Sequence, residues 1–187
     1  MKTGTDPRQL VRTMVVANHR PLEDSIRVIR EKRADKDAAF AVAFEDRDGV
    51  ARRGVLRLRR QHGTWQPAGL FMGSVRVPGP NDVWITWGGS GPGGGNGREL
   101  CGGWVADPSA VRARLIDPAS GTALIDDIEN GVALFFWKGD FNSRYARVEL
   151  LDAEARIVRS GPLYRNPESG IDQRASLSDT VREQPDE

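Results

Sequence analysis

The chain has 187 residues, 39% hydrophobic and 28% charged, with a formal net charge of +1. That length suits one domain or two small ones with a real core, and the balance excludes disorder along the whole chain. A single cysteine, Cys101, excludes an internal disulfide framework and any zinc site built from two or more cysteines of one chain. The two histidines, His19 and His62, lie too far apart to form a closely spaced metal box.

The first residues, Met1-Lys2-Thr3-Gly4-Thr5-Asp6-Pro7, lack the apolar core of a signal peptide. The longest apolar run, Val132–Trp137, falls far short of the roughly 20 residues a membrane span requires. A soluble, cytoplasmic protein without a membrane partner is expected. Asp6-Pro7-Arg8-Gln9 reads as a helix start, with Asp6 as cap, Pro7 at the first position and Gln9 placed for a capping box. Leu10, Val11, Met14 and Val15 continue at helical spacing. Pro21 interrupts, then Leu22, Ile26 and Ile29 resume the period. Arg30, Lys32 and Arg33 stand where positive charge favours a helix C-terminus. The pattern predicts one kinked helix or two short ones.

From residue 39 the period becomes two. Phe40, Val42 and Phe44 alternate with small residues, and Asp46-Arg47-Asp48-Gly49 supplies a turn. The strand over 50–60 puts Leu56 and Leu58 on one face and Val55, Arg57 and Arg59 on the other. His62-Gly63 turns the chain back through 65–71. Helices followed by this three-strand meander resemble the cystatin-like or NTF2-like α+β roll, by element order and not by motif. Such rolls enclose pockets with an Asp/His pair, so the resemblance implies a cavity near His19, Asp24 and His62.

Pro78-Gly79-Pro80 marks the boundary between a basic roll over 1–80 and a sandwich over 81–165. Short strands are expected near 83–87, 99–105, 111–116, 123–128, 132–137, 145–151 and 156–159. Asn130-Gly131, between two apolar runs, is the clearest hairpin turn. Seven such strands resemble an immunoglobulin-like or fibronectin-like antiparallel sandwich, without the cysteine pair of antibody domains. The fold class is therefore mainly β with N-terminal helices, ending in an acidic polar tail over 166–187. Charge is split along this order. Residues 1–80 carry 16 Lys/Arg against 9 Asp/Glu, a net of +7, and residues 81–187 carry 11 against 17, a net of −6. The two halves should attract each other, within one chain or between copies.

Several segments invite a chemical reading. The glycine-rich run over 88–97 has no Gly-Lys-Ser/Thr leading into a helix, so it reads as a hairpin loop, or as a loop that orders on a partner. Asp126, Asp127 and Glu129 form the densest acid cluster, expected to be a solvated strand end because calcium needs about six to eight oxygen ligands. Asp140 and Asp152 read as turn formers. Cys101 stands on a strand between glycines as a small core residue, with no base beside it in sequence. Arg52, Arg53, Arg57, Arg59 and Arg60 make a basic strand that could touch single-stranded nucleic acid, were it not for the leucines committed to its other face.

The aromatic strands carry the most weight. Trp84 and Trp87 take opposite faces of one strand. In the other, Val132, Leu134 and Phe136 oppose Ala133, Phe135 and Trp137. A sandwich strand needs only one apolar face, so the second must be covered by the N-terminal helices, another copy or a ligand. No catalytic, cofactor or metal residue is assigned. A candidate interaction surface comprises Trp84, Trp87, Phe135, Trp137, Phe141, Tyr145, Arg57 and Arg59, for protein partners and self-association. The first reading is a non-enzymatic interaction or assembly module. The others are a small-molecule binder or isomerase-type enzyme with a pocket in the roll, and a nucleic-acid binder using the arginine strand.

Overall fold

A computed structural model describes residues 6–74, 85–89, 99–105, 107–139 and 141–163. Helix α1 runs Pro7–His19, and the Asp6 carboxylate accepts the Arg8 N–H at 3.0 Å. The expected start is observed, with that bond in place of a full capping box. Val11 and Val15 are fully buried, with Leu10 and Met14 beside them.

The second helical segment is not a helix. After one 3-10 turn at Glu23–Ser25 the chain enters strand β1, Arg27–Ala34. Ile26 and Ile29 stand three apart in sequence but face opposite sides of the sheet, so their helical spacing joins residues of two faces. A β-bulge between Val28 and Arg30 interrupts the alternation further. Val28 packs on the α1 side and Ile29 on the opposite side. With β2 (Asp37–Glu45), β3 (Ala51–Gln61) and β4 (Thr64–Ser74), β1 makes a four-stranded antiparallel meander in chain order, one strand more than expected. His62 and Gly63 hold φ values of 50° and 82°, as a two-residue hairpin turn of mirror-image type requires. Phe40, Val42, Leu56 and Leu58 face α1, while Ala39, Ala41 and Val55 face the other way. The face assignment of β3 made from sequence therefore holds.

The second half contains all seven expected strands, each displaced by a few residues at most. They are β5 (Ile85–Gly89), β6 (Glu99–Trp104), β7 (Arg112–Ile116), β8 (Ala123–Asp127), β9 (Val132–Trp137), β10 (Arg147–Leu151) and β11 (Ile157–Pro162). They form two antiparallel sheets, ordered β5-β6-β9 and β11-β10-β7-β8. Cys101, Ala133, Phe135 and Trp137 from the first pack against Ala113, Leu115, Val148 and Leu150 from the second. Asn130 and Gly131 form the expected turn, with φ of 52° and 73°. It joins strands of different sheets after a single bridge between Glu129 and Val132.

The three-stranded sheet is covered twice. Leu100, Val132 and Leu134, on its far face, pack against Ala39, Ala41 and Val55 of the meander. The layers thus run α1, meander, β5-β6-β9, then β11-β10-β7-β8. At Gly102 the two halves pack closely, for a Cβ there would lie 2.9 Å from Val55 Cγ2 of the meander, as well as 2.7 Å from Leu134 Cδ2 of its own sheet. The cover required by the aromatic strand is therefore the chain's own N-terminal sheet, rather than its helix.

Candidate functional site

The charge split is spent where the halves meet. Arg30, its side chain 3% exposed, grips Asp126 with both terminal nitrogens, at 2.6 and 3.1 Å. Asp126 is also bound by the Lys32 ammonium and accepts the Leu134 N–H at 2.7 Å. Arg30 donates further to the Val132 carbonyl at 2.7 Å and to Glu129 at 3.3 Å, and Lys32 donates to the Leu134 carbonyl at 2.8 Å. Among the described residues, β9 pairs with β6 on one side only. Its other edge is closed by these side chains in place of a strand, one way of masking unpaired backbone groups. Asn130 Nδ2 donates to the Ile29 carbonyl at 2.9 Å, across the same seam. Within the acid cluster, Asp126 is not solvated but neutralised by two cations, while Asp127 and Glu129 stay exposed as expected of a strand end. No metal-binding group of His, Cys, Asp or Glu occurs among the described residues.

The basic strand is likewise turned inward. Arg57, 7% exposed, and Arg59 both donate to Asp37 Oδ1, at 2.9–3.1 Å and 3.0 Å. The Arg53 guanidinium lies 3.1 Å from the centroid of the Trp104 ring, and burial lowers its pKa. Glu99 stands directly opposite Trp137 in the ladder. Burial raises its carboxyl pKa, with the Trp137 N–H and the Arg57 charge pulling it back. The indole N–H reaches no acceptor in good hydrogen-bond geometry, so its effect on Glu99 is that of a nearby dipole.

The candidate interaction surface is accordingly broken up. Phe135, Trp137 and Phe141 are 1%, 4% and 8% exposed, the last two rings 5.3 Å apart inside the sandwich. With Arg57 they belong to the interior, because two covering sheets leave those faces no solvent. Tyr145 stays outside at 55% exposure, and Arg59 is partly exposed but paired. Trp87 lies on β5, and Trp84 falls outside the described residues, as do 90–98 of the glycine-rich run, Asp140 and the tail from Asn166. Asp152 is a turn former as expected, accepting the Glu154 and Arg156 N–H groups.

Cys101 is fully buried between the sandwich sheets, and burial pushes its thiol pKa up to about 12. A thiol so far from ionising is a poor nucleophile. The residues implied for a roll pocket do not gather. His62 sits in the β3–β4 turn and Asp24 in the 3-10 turn, while His19 lies at the end of α1, its ring 5.7 Å from Phe44.

That helix end opens on a cleft of about 520 Å³, lined by Asn18, His19, Arg20, Asp46, Arg47, Asp48 and Arg52. Asp46 is fully engaged. It accepts the Val50 and Asp48 N–H groups at 2.9 and 3.0 Å and the Arg52 Nε–H at 2.8 Å, and these bonds hold its carboxyl below the usual range. His19 Nε2 is buried without a partner, and burial and the Arg52 charge lower its pKa. Sequence reasoning found His19 but not its neighbours, because turn residues of ordinary composition carried no signal. Compared with known proteins, the chain matches no family model, no curated protein and no solved structure.

Proposed function

We propose that the chain is a non-enzymatic interaction module that assembles with a second copy of itself through β11. The observation that supports this reading is the position of β11 at the end of the outer sheet, paired among the described residues with β10 alone. An edge strand presents backbone donors and acceptors that a second chain can extend. Ile157 stands 51% exposed at its start, and Pro162 closes its end, so residues 157–160 form the usable stretch. Two copies pairing β11 antiparallel would satisfy a two-fold axis. The chemistry-bearing side chains fit the same reading, since Cys101, Asp126 and Arg57 serve the frame. The strand arrangement supports a fibronectin-like sandwich, and a single buried thiol is compatible with the cytoplasm.

Ser160 stands opposite Glu149, and the Leu163 N–H bond to the Ala146 carbonyl sets a register in which the Ser160 N–H points away from β10. Ser160→Pro should therefore block edge pairing at little cost to the sheet. Sedimentation of the parent should give a dimer, and of the variant a monomer with a similar melting temperature. A parent that stays monomeric at every concentration refutes the reading. A pocket reading has one specific support, the cleft at the end of α1. Nucleic-acid binding through the arginine strand has the least, with Arg57 buried and both Arg57 and Arg59 held by Asp37.

A further inference from the structure

Three guanidinium groups surround the cleft at the end of α1, and their charge is mostly unspent. Among the described residues, Arg20 and Arg47 form no ion pair and no side-chain hydrogen bond. Arg52 binds Asp46 through Nε, which leaves the two terminal nitrogens of its fork without an acid. Pro21 and Asp46 form an isolated antiparallel bridge, which holds the segments of Arg20 and Arg47 together on the wall of the cleft. Like charges gathered in one place repel.

The backbone at Arg20 is also costly. It holds φ 45° and ψ 51°, the left-handed conformation that glycine takes freely and a side chain does not. Pro21 follows immediately, and a proline crowds the residue before it. A chain free to choose would place glycine or asparagine at such a helix end. Here an arginine is held in strain in a cleft lined by two further arginines. Strain and like charge at one point are the marks of a site completed by a ligand of opposite sign.

We propose that this cleft binds the phosphoryl group of a small phosphorylated molecule, gripped by the Arg20, Arg47 and Arg52 guanidiniums, with the His19 imidazole at its floor. A guanidinium fork matches the oxygens of a phosphoryl group. The volume, about 520 Å³, exceeds what the group alone would fill and leaves room for an attached organic part. Asp46 is already neutralised within the turn, and Asp48 on the rim is the acid that opposes the anion. Bound anion favours protonated His19, so binding and protonation reinforce each other. Affinity therefore increases as pH falls through the raised His19 midpoint of the complex, and levels off below the lower midpoint of the free protein.

The test is a calorimetric titration of the full chain with inorganic pyrophosphate, followed in parallel by the His19 imidazole resonances. Saturable one-to-one binding is expected, with an upward shift of the His19 midpoint. Arg47→Ala should weaken binding tenfold or more, while Arg12→Ala, in the neighbouring groove along α1, should leave it unchanged. Arg20→Gly separates the site from the fold, because it should weaken binding tenfold while raising the melting temperature. Absence of saturable binding overturns the proposal. So does binding that Arg20→Gly and Arg47→Ala leave intact, or that Arg12→Ala weakens equally.

Discussion

Replacing Asp126 with alanine removes the acceptor of four donors at once: two from Arg30, one from Lys32 and the Leu134 N–H. Arg30 would keep the Val132 carbonyl and the weaker contact to Glu129, whose side chain is 60% exposed. Its charge would remain 3% exposed with no buried counter-charge, the circumstance in which breaking a buried pair costs roughly 3–5 kcal/mol. A buried N–H left unpaired falls within that sum, at about 1–3 kcal/mol. Against a total stability of roughly 5–15 kcal/mol, the loss is a large share. For a chain of this length each kcal/mol moves the melting temperature by about 2–4 °C, so a fall of about 10 °C is expected. Thermal unfolding followed by tryptophan fluorescence is the assay. Asp126→Leu combined with Arg30→Met should recover much of the loss, because apolar groups of similar volume replace a buried pair well. An Asp126→Ala variant melting within about 2 °C of the parent would show that the seam does not depend on this clamp.

Gly102→Ala should destabilise by about 1–3 kcal/mol, measured by urea unfolding, because the new methyl meets Leu134 Cδ2 at 2.7 Å and the stiff Val55 Cγ2 at 2.9 Å. A neutral result would mean that the halves part there without cost. Salt should scarcely affect the contact between halves, since the Arg30–Asp126 pair is buried and buried pairs are weakly screened. A melting temperature falling steeply between about 0.1 M and about 1 M salt would assign the seam to surface pairs instead.

Where the pattern in sequence is local, it predicts the structure. The seven strands after residue 80 and the turns at His62-Gly63 and Asn130-Gly131 depend on near neighbours, and they stand where alternation and turn chemistry put them. β1 was hidden because Ile26 and Ile29, on opposite faces of the sheet, stand at helical spacing, and the bulge after Val28 breaks the alternation that would have shown a strand. Phe136 shows the limit of face assignment: alternation gives its side correctly, yet it is half-buried while Phe135 is 1% exposed. The clamp was illegible for another reason. Arg30 and Asp126 are 96 residues apart, and no local period links them. One signal was present, because alternation along β8 puts Leu124 and Asp126 on the inward side. An acid in that position requires a buried cation, and the excess of arginine in the first half supplies it.

The middle sheet explains how a single chain uses this much aromatic and charged surface. Apolar on both faces, β9 requires a layer on each side, and the chain supplies both: its own meander and its own outer sheet. Apolar faces alone would stack in several registers, because the hydrophobic effect has no direction. Arg30 and Lys32, reaching the carbonyls of Val132 and Leu134 two residues apart, fix one register between the meander and β9. The charges therefore select which faces meet, and the apolar area holds them together. That division also determines what remains for partners. The arginines that stay unspent line the cleft between the end of α1 and the β2–β3 turn, in the first two layers, while β11 belongs to the last. With the middle sheet between them, the anion proposed for the cleft and the second copy proposed on β11 need not compete for the same surface, and each should be removable by substitution without disturbing the other.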